Sequence, residues 1–120
     1  MSYTVKLPFL PERTEKPRKA GLTMVMDKGI SLRQAEDMME TSADFIDYVK
    51  LGFGTSVISK NLKEKIKLYQ KNNIKVYLGG TLFEAFVIRN KFDDYEKFIA
   101  SLGIDSAEVS DGSITIDHDK

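Results

Sequence analysis

Four short polar clusters in the chain carry residue types that bind anions or hard metal ions, and each sits in or after an apolar run. In Asp27-Lys28-Gly29 a carboxylate and an ammonium stand at the end of what reads as a buried strand. The pair suits a hard metal ion or a phosphorylated anion, and equally an ion pair that holds a tight turn. Lys50 lies inside the apolar stretch Tyr48-Val49-Lys50-Leu51-Gly52, where an ammonium is costly unless it is paired or has a ligand to bind. Gly52-Phe53-Gly54-Thr55-Ser56 follows, with glycines that free backbone amides and hydroxyls that add donors, although its spacing matches neither nucleotide-binding pattern. Gly79-Gly80-Thr81 is a similar anion candidate, and two glycines at a tight turn also serve geometry alone. Glu108-Val109-Ser110-Asp111-Gly112 combines two carboxylates and a hydroxyl, with Glu108 and Ser110 on one face. Glu108 and Asp111 together with Asp27 offer oxygen ligands for Mg²⁺, and Ser-Asp-Gly is also good turn chemistry. The single histidine, His118, belongs to a polar tail, which gives Ser-His chemistry little support.

The elements that must position these groups follow from a recurring pattern. Short apolar runs at Leu22 to Met26, Phe45 to Leu51, Ile74 to Leu78 and Ala107 to Val109 alternate with longer amphipathic stretches. Ser31 with Gln34 and Thr81 with Glu84 have the spacing of capping boxes, each opening a helix. Leu32, Ala35, Met38 and Met39 share one helical face, and Leu62, Ile66 and Tyr69 another, stopped by Asn72-Asn73. Two further helices are predicted, from Leu82 to about Asn90 and from Asp93 to Leu102, the second closed by Gly103. Strand, helix, strand with right-handed crossovers gives a parallel sheet. An open doubly wound sheet and a (β/α) barrel of TIM type compete. The barrel is favoured because Thr23, Val25 and Asp27, Tyr48 and Lys50, and Glu108 and Ser110 are expected to face its interior at the catalytic rim. Residues 1–20 hold all three prolines and read as an irregular arm, with residues 21–120 as one barrel-type domain.

Composition narrows the function classes. Eighteen Lys and Arg balance eighteen Asp and Glu, so no overall field draws the chain to nucleic acid or an anionic membrane. The basic run Lys16-Pro17-Arg18-Lys19 reads as a solvated lead-in to the first strand. With no cysteine, thiol nucleophiles, thiolate metal sites and disulfides are out of reach, which suits a cytoplasmic protein. No apolar segment has the length of a membrane span.

Taken together, Gly21 to Gly29, Asp44 to Ser56, Lys75 to Glu84 and Glu108 to Gly112 resemble, in order and spacing, the phosphosulfolactate synthase family. The resemblance covers nearly all of the chain from Leu7 onward. It implies a TIM-type barrel lyase that uses Mg²⁺ to add sulfite to phosphoenolpyruvate, giving (2R)-phospho-3-sulfolactate. Such chemistry opens a route to coenzyme M in methanogenic archaea and is linked to sulfolactate in bacterial spores. By this resemblance Asp27, Lys50 and Glu108 are the expected catalytic residues. Lys28, Gly79, Gly80, Thr81 and Ser110 are the expected substrate contacts, and Asp27, Glu108 and Asp111 the expected metal ligands. At 120 residues the chain would supply about four strands, against roughly 250 residues for a whole barrel. A shortened, inactive half barrel, or one that pairs with a second copy as a homo-oligomer, is therefore expected. The alternatives are a non-catalytic relative, of the kind associated with heat-stress tolerance, and an aldolase-like barrel with a Schiff base at Lys50.

Overall fold

In a computed structural model, which describes residues 5–117, regular structure begins at Met24 and alternates strand with helix. The strands β1 (Met24–Asp27), β2 (Tyr48–Leu51) and β3 (Lys75–Leu78) form one parallel sheet in that order. The helix α1 (Leu32–Ser42) connects β1 to β2, and α2 (Leu62–Lys71) connects β2 to β3. After β3 come α3 (Gly80–Val87) and α4 (Phe92–Ser101). The chain is thus α/β, and a three-stranded parallel sheet with helices is consistent with part of a barrel. The fourth apolar run contributes less than a strand. Ala107 makes a single parallel bridge to Leu78, anchored by the Glu108 amide donating to the Leu78 carbonyl at 2.9 Å. Val109 is already 74% exposed, so among the described residues the run lacks a packing partner that would extend the pairing.

The helix α1 starts as expected, and for a local reason. At α1 the Ser31 hydroxyl accepts from the Gln34 amide at 3.1 Å while the Gln34 side chain accepts from the Ser31 amide at 3.0 Å. Ala35 and Met39 are its buried residues. In α2 the buried stripe is Leu62, Lys65, Ile66 and Tyr69, and the chain leaves the helix through Asn73 at φ 59°. Gly103, at φ 70°, follows α4 in the same way. Aromatic contacts among Phe83, Phe86, Phe92, Tyr95 and Phe98 lock α3 to α4.

Register decides which residues share a face of the sheet. Val25, Val49 and Val76 lie in one row, and Asp27, Leu51 and Leu78 in the next. These rows point into the core with Ala35, Met39, Ile66 and Tyr69. Met24, Met26, Tyr48, Lys50, Lys75 and Tyr77 occupy the opposite face, which is only partly covered. This corrects the expectation that Thr23, Val25 and Asp27 line the same surface as Tyr48 and Lys50.

The arm before β1 is not the solvated lead-in its charges imply. The Arg18 guanidinium donates to Asp47 Oδ1 at 2.9 Å and to the Asp44 carbonyl at 2.6 Å, and the two ionic side chains are only 3% and 7% exposed. Lys16 Nζ donates to the Asn72 carbonyl at 3.0 Å, and Arg13 to the Phe45 carbonyl at 2.9 Å and Thr23 Oγ1 at 2.8 Å. The basic residues therefore clasp the N-terminal ends of the strands, because the carbonyls and the Asp47 carboxylate there need donors. Lys19 alone of that run's cations is exposed.

Candidate functional site

The polar groups at the C-terminal end of the sheet separate into two assemblies on opposite faces. On the face away from α1 and α2, Lys50 projects from β2 and its stem passes over Gly79, whose missing side chain would meet the Lys50 Cε at 3.0 Å. Lys50 Nζ reaches both oxygens of Glu108 at 3.0 Å. The ammonium is 17% exposed and the carboxylate 40%, so the pair is open to a ligand from solvent. The Lys50 hydrogen bond and that from the Gly80 amide hold the Glu108 carboxyl below the usual range.

Gly80 explains how α3 begins. Its amide donates to Glu108 Oε1 at 2.9 Å, so a carboxylate from the Ala107–Glu108 segment takes the place of a side-chain cap. A Cβ on Gly80 would collide with Ser110 Oγ and Glu108 Oε1, and the close approach of that segment is possible only with glycine here. The expected Thr81–Glu84 capping box does not form. Gly79 is the N-cap, Thr81 is exposed inside the helix, and Glu84 turns elsewhere.

Glu84 is 5% exposed and accepts from Ser110 Oγ at 2.6 Å, the Ser113 amide at 2.6 Å and Ser113 Oγ at 2.9 Å. These bonds, led by Ser110, pull its carboxyl down as well. Since Ser110 spends its one proton on Glu84, it presents only lone pairs to a ligand. Below, the Tyr95 hydroxyl is buried with no hydrogen-bond partner, and burial reinforced by the Glu108 charge pushes it up to about 12.

The second assembly is closed. Asp27 faces α2 and is 1% exposed. Its Oδ1 accepts from the Gly29 amide at 2.8 Å and the Ile30 amide at 3.0 Å, and its Oδ2 from Tyr69 at 2.8 Å and Lys65 at 2.9 Å. Lys65 also donates to the Ile30 carbonyl at 2.7 Å. Burial alone would raise the Asp27 carboxyl, but Lys65, the two amides and Tyr69 outweigh it and bring it below the ordinary value. Burial and the neighbouring carboxylate push the Tyr69 hydroxyl far up. The cluster fastens the turn after β1, which leaves Lys28 on the surface with its ammonium 5.5 Å from the centre of the Phe53 ring.

The structure therefore brings Lys50, Gly79, Gly80, Glu108 and Ser110 together and places Asp27 across the sheet from them. Asp111 is exposed in the loop beyond Ser110, and His118 lies outside the described residues. Asp27, Glu108 and Asp111 do not fit a common Mg²⁺ ion, because the acceptor positions of Asp27 are filled by four donors, one of them cationic. Among the described residues no three His, Cys, Asp or Glu side chains gather to hold a metal. Sequence reasoning passed over Lys65 and Tyr95 and read Glu84 as a capping partner alone. The signal was present for two of them: Lys65 falls on the apolar stripe Leu62, Ile66, Tyr69, and Glu84 interrupts the apolar run Leu82 to Val87.

The family model described as (2R)-phospho-3-sulfolactate synthase (ComA) matches residues 11–120. Among similar curated proteins, the phosphosulfolactate synthase of Methanothermobacter thermautotrophicus is 40% identical over 109 residues, 89% of this chain and 42% of the relative. That of Bacillus subtilis is 37% identical over 105 residues, 88% of this chain and 42% of the relative. That of Methanocaldococcus jannaschii is 47% identical over 98 residues, 80% of this chain and 39% of the relative. The chain thus spans about two fifths of the length of the curated relatives it matches.

Proposed function

This chain belongs to the (2R)-phospho-3-sulfolactate synthase family, and from that premise we propose that its protein adds sulfite to phosphoenolpyruvate, with Lys50 and Glu108 at the reacting face. The observation that carries the reading is the Lys50–Glu108 pair at the C-terminal ends of parallel strands, on the sheet face not packed against α1 and α2. In α/β folds that end of the sheet is where ligands bind.

Both substrates are anions, and Lys50 presents a cation to them at the C-terminal end of this face. Attack of the sulfite sulfur on the methylene carbon forms the C–S bond and sends the alkene electron pair toward the carboxylate as an enolate-like charge. An ammonium beside that carboxylate stabilises the charge as it grows, and a proton delivered to the phosphate-bearing carbon completes the addition. Before substrate arrives, Glu108 keeps Lys50 oriented, and the open side of the pair leaves room for the incoming carboxylate to compete for the same ammonium. Gly79 and Gly80 serve by letting Lys50 and Glu108 close over them rather than by donating to the anion, since the Gly80 amide is already held by Glu108. Asp27 acts as the anchor of the turn after β1. A Mg²⁺ ion at this face would have the Glu108 carboxylate and the Ser110 lone pairs as protein oxygens, while Asp27 is committed to its own four donors.

The partly covered face is best accounted for as part of the interior of a TIM-type barrel, completed by further strands or by a second copy. The absence of cysteine supports a cytoplasmic setting, and among the described residues no helix is long and apolar enough to cross a membrane. The test is Lys50→Ala in the full-length protein, with sulfite-dependent consumption of phosphoenolpyruvate as the readout. A loss of about a hundredfold or more in kcat/KM is expected for removal of a charge-stabilising group. Unchanged turnover and affinity would remove Lys50 from the site.

A further inference from the structure

We propose that Glu84 is a positioning residue for the Lys50–Glu108 pair, setting where Glu108 stands by holding the segment that follows it. The inference deepens the reading of this face as the site of sulfite addition and rests on it for its catalytic consequence. α3 presents two grips one turn apart, the Gly80 amide and the Glu84 carboxylate, which at i and i+4 lie on the same side of the helix. The first holds Glu108 Oε1 at 2.9 Å. The second holds Ser110 Oγ at 2.6 Å, and the amide and hydroxyl of Ser113 at 2.6 and 2.9 Å. Both grips act on one stretch of chain, Glu108 to Ser113.

Beside these grips and that of Lys50 on Glu108, the stretch is tied to the sheet at its start. Its backbone joins the sheet through one bridge, Leu78 to Ala107, and the Glu108 amide bond to Leu78, and Val109 is 74% exposed. Glu84 meanwhile is buried within an apolar helical run, where a carboxylate is costly unless its lone pairs are met. Its bonds from Ser110 and Ser113, and from the Ile114 amide just beyond, come from neutral groups of one segment, so the same bonds that satisfy the carboxylate order the chain. The backbone leaving Glu108 is fixed two and five residues on, and the carboxylate is thereby kept over Gly80 and against Lys50.

Amide hydrogen exchange tests the inference in the full-length protein, comparing the native chain with Glu84→Gln. The Ser113 amide reports the bond to Glu84, the Gly80 amide reports the seating of Glu108, and the Val49 amide reports the core. Exchange at both Ser113 and Gly80 should quicken about tenfold or more with Val49 unchanged. In the same variant kcat for sulfite addition should fall about ten- to hundredfold with KM little altered, as expected for a misplaced catalytic group. Quickening at Ser113 alone, or at neither, overturns the proposal, because Glu108 would then be seated without Glu84. Should Glu84→Gln expose the Val49 amide, Ser110→Ala, which removes one of the bonds and no charge, decides by the same two amides. A native protein without sulfite addition would refute the functional reading and leave the exchange result to judge Glu84 by itself.

Discussion

Replacing Lys65 with methionine removes one end of an ion pair that water cannot reach. The two side chains are 1% and 0% exposed and stand 2.9 Å apart. In Lys65→Met the Asp27 carboxylate keeps the Gly29 and Ile30 amides on Oδ1 and the Tyr69 hydroxyl on Oδ2, but its countercharge is gone. Breaking a buried pair from one side costs about 3–5 kcal/mol, a large share of the roughly 5–15 kcal/mol that holds a typical protein folded. The mirror change, Asp27→Asn, leaves the Lys65 ammonium with the Ile30 carbonyl alone and should cost a similar amount. In the double variant no charge remains, asparagine can still accept from both amides through its oxygen, and methionine fills the space of the lysine stem. Its expected cost is about 0–2 kcal/mol, far below the sum of about 6–10 kcal/mol that independent effects would give. Urea unfolding of the full-length protein and the three variants at pH 7 measures the cycle. A loss below about 1 kcal/mol for Lys65→Met, or costs that simply add, would refute the assignment of Asp27 to a structural anchor.

Arg18→Ala should destabilise by about 3 kcal/mol, since it leaves Asp47 buried without its cation, and should make the arm before β1 readily cleaved in limited proteolysis; an unchanged urea midpoint and digestion pattern would contradict the clasp. Gly80→Ala should keep the fold while pushing Glu108 and Ser110 away, so that kcat falls about a hundredfold, and unaltered kcat would show that the close approach has no catalytic bearing. Stability should fall as pH drops below about 4, because Asp27, Asp47, Glu84 and Glu108 all have carboxyls lowered by folding and the unfolded chain therefore takes up protons first. Their contribution is complete above the unfolded values and is lost through the lower native ones; a flat or rising stability between pH 5 and 2.5 would contradict it.

Much of the architecture is legible in the residues because local physics suffices for it. Ser31 and Gln34 close a capping box with each other, and Leu62, Ile66 and Tyr69 share a face by helical period alone. Asn73 and Gly103 adopt the left-handed backbone that ends a helix because asparagine tolerates it and glycine has no Cβ to oppose it. Thr81 and Glu84 have the same spacing as Ser31 and Gln34 and do otherwise, because groups far along the chain intervene: Glu108 holds the Gly80 amide where the helix now starts, and Ser110 and Ser113 take the Glu84 carboxylate. The basic residues of the arm read as solvated for a like reason. Nothing near Arg18 in sequence shows that Asp47 will need a partner.

What the sequence determined by itself is the alternation of strand and helix, the helix boundaries at Ser31, Asn73 and Gly103, and the presence of a lysine within an apolar strand. Only the tertiary structure decided that Asp27 and Lys50 lie on opposite faces. Alternation within a strand tells which of its residues share a side, but the sides of two strands are matched by their register, and pairing Asp27 with Leu51 rather than Lys50 sends the carboxylate into the helix layer.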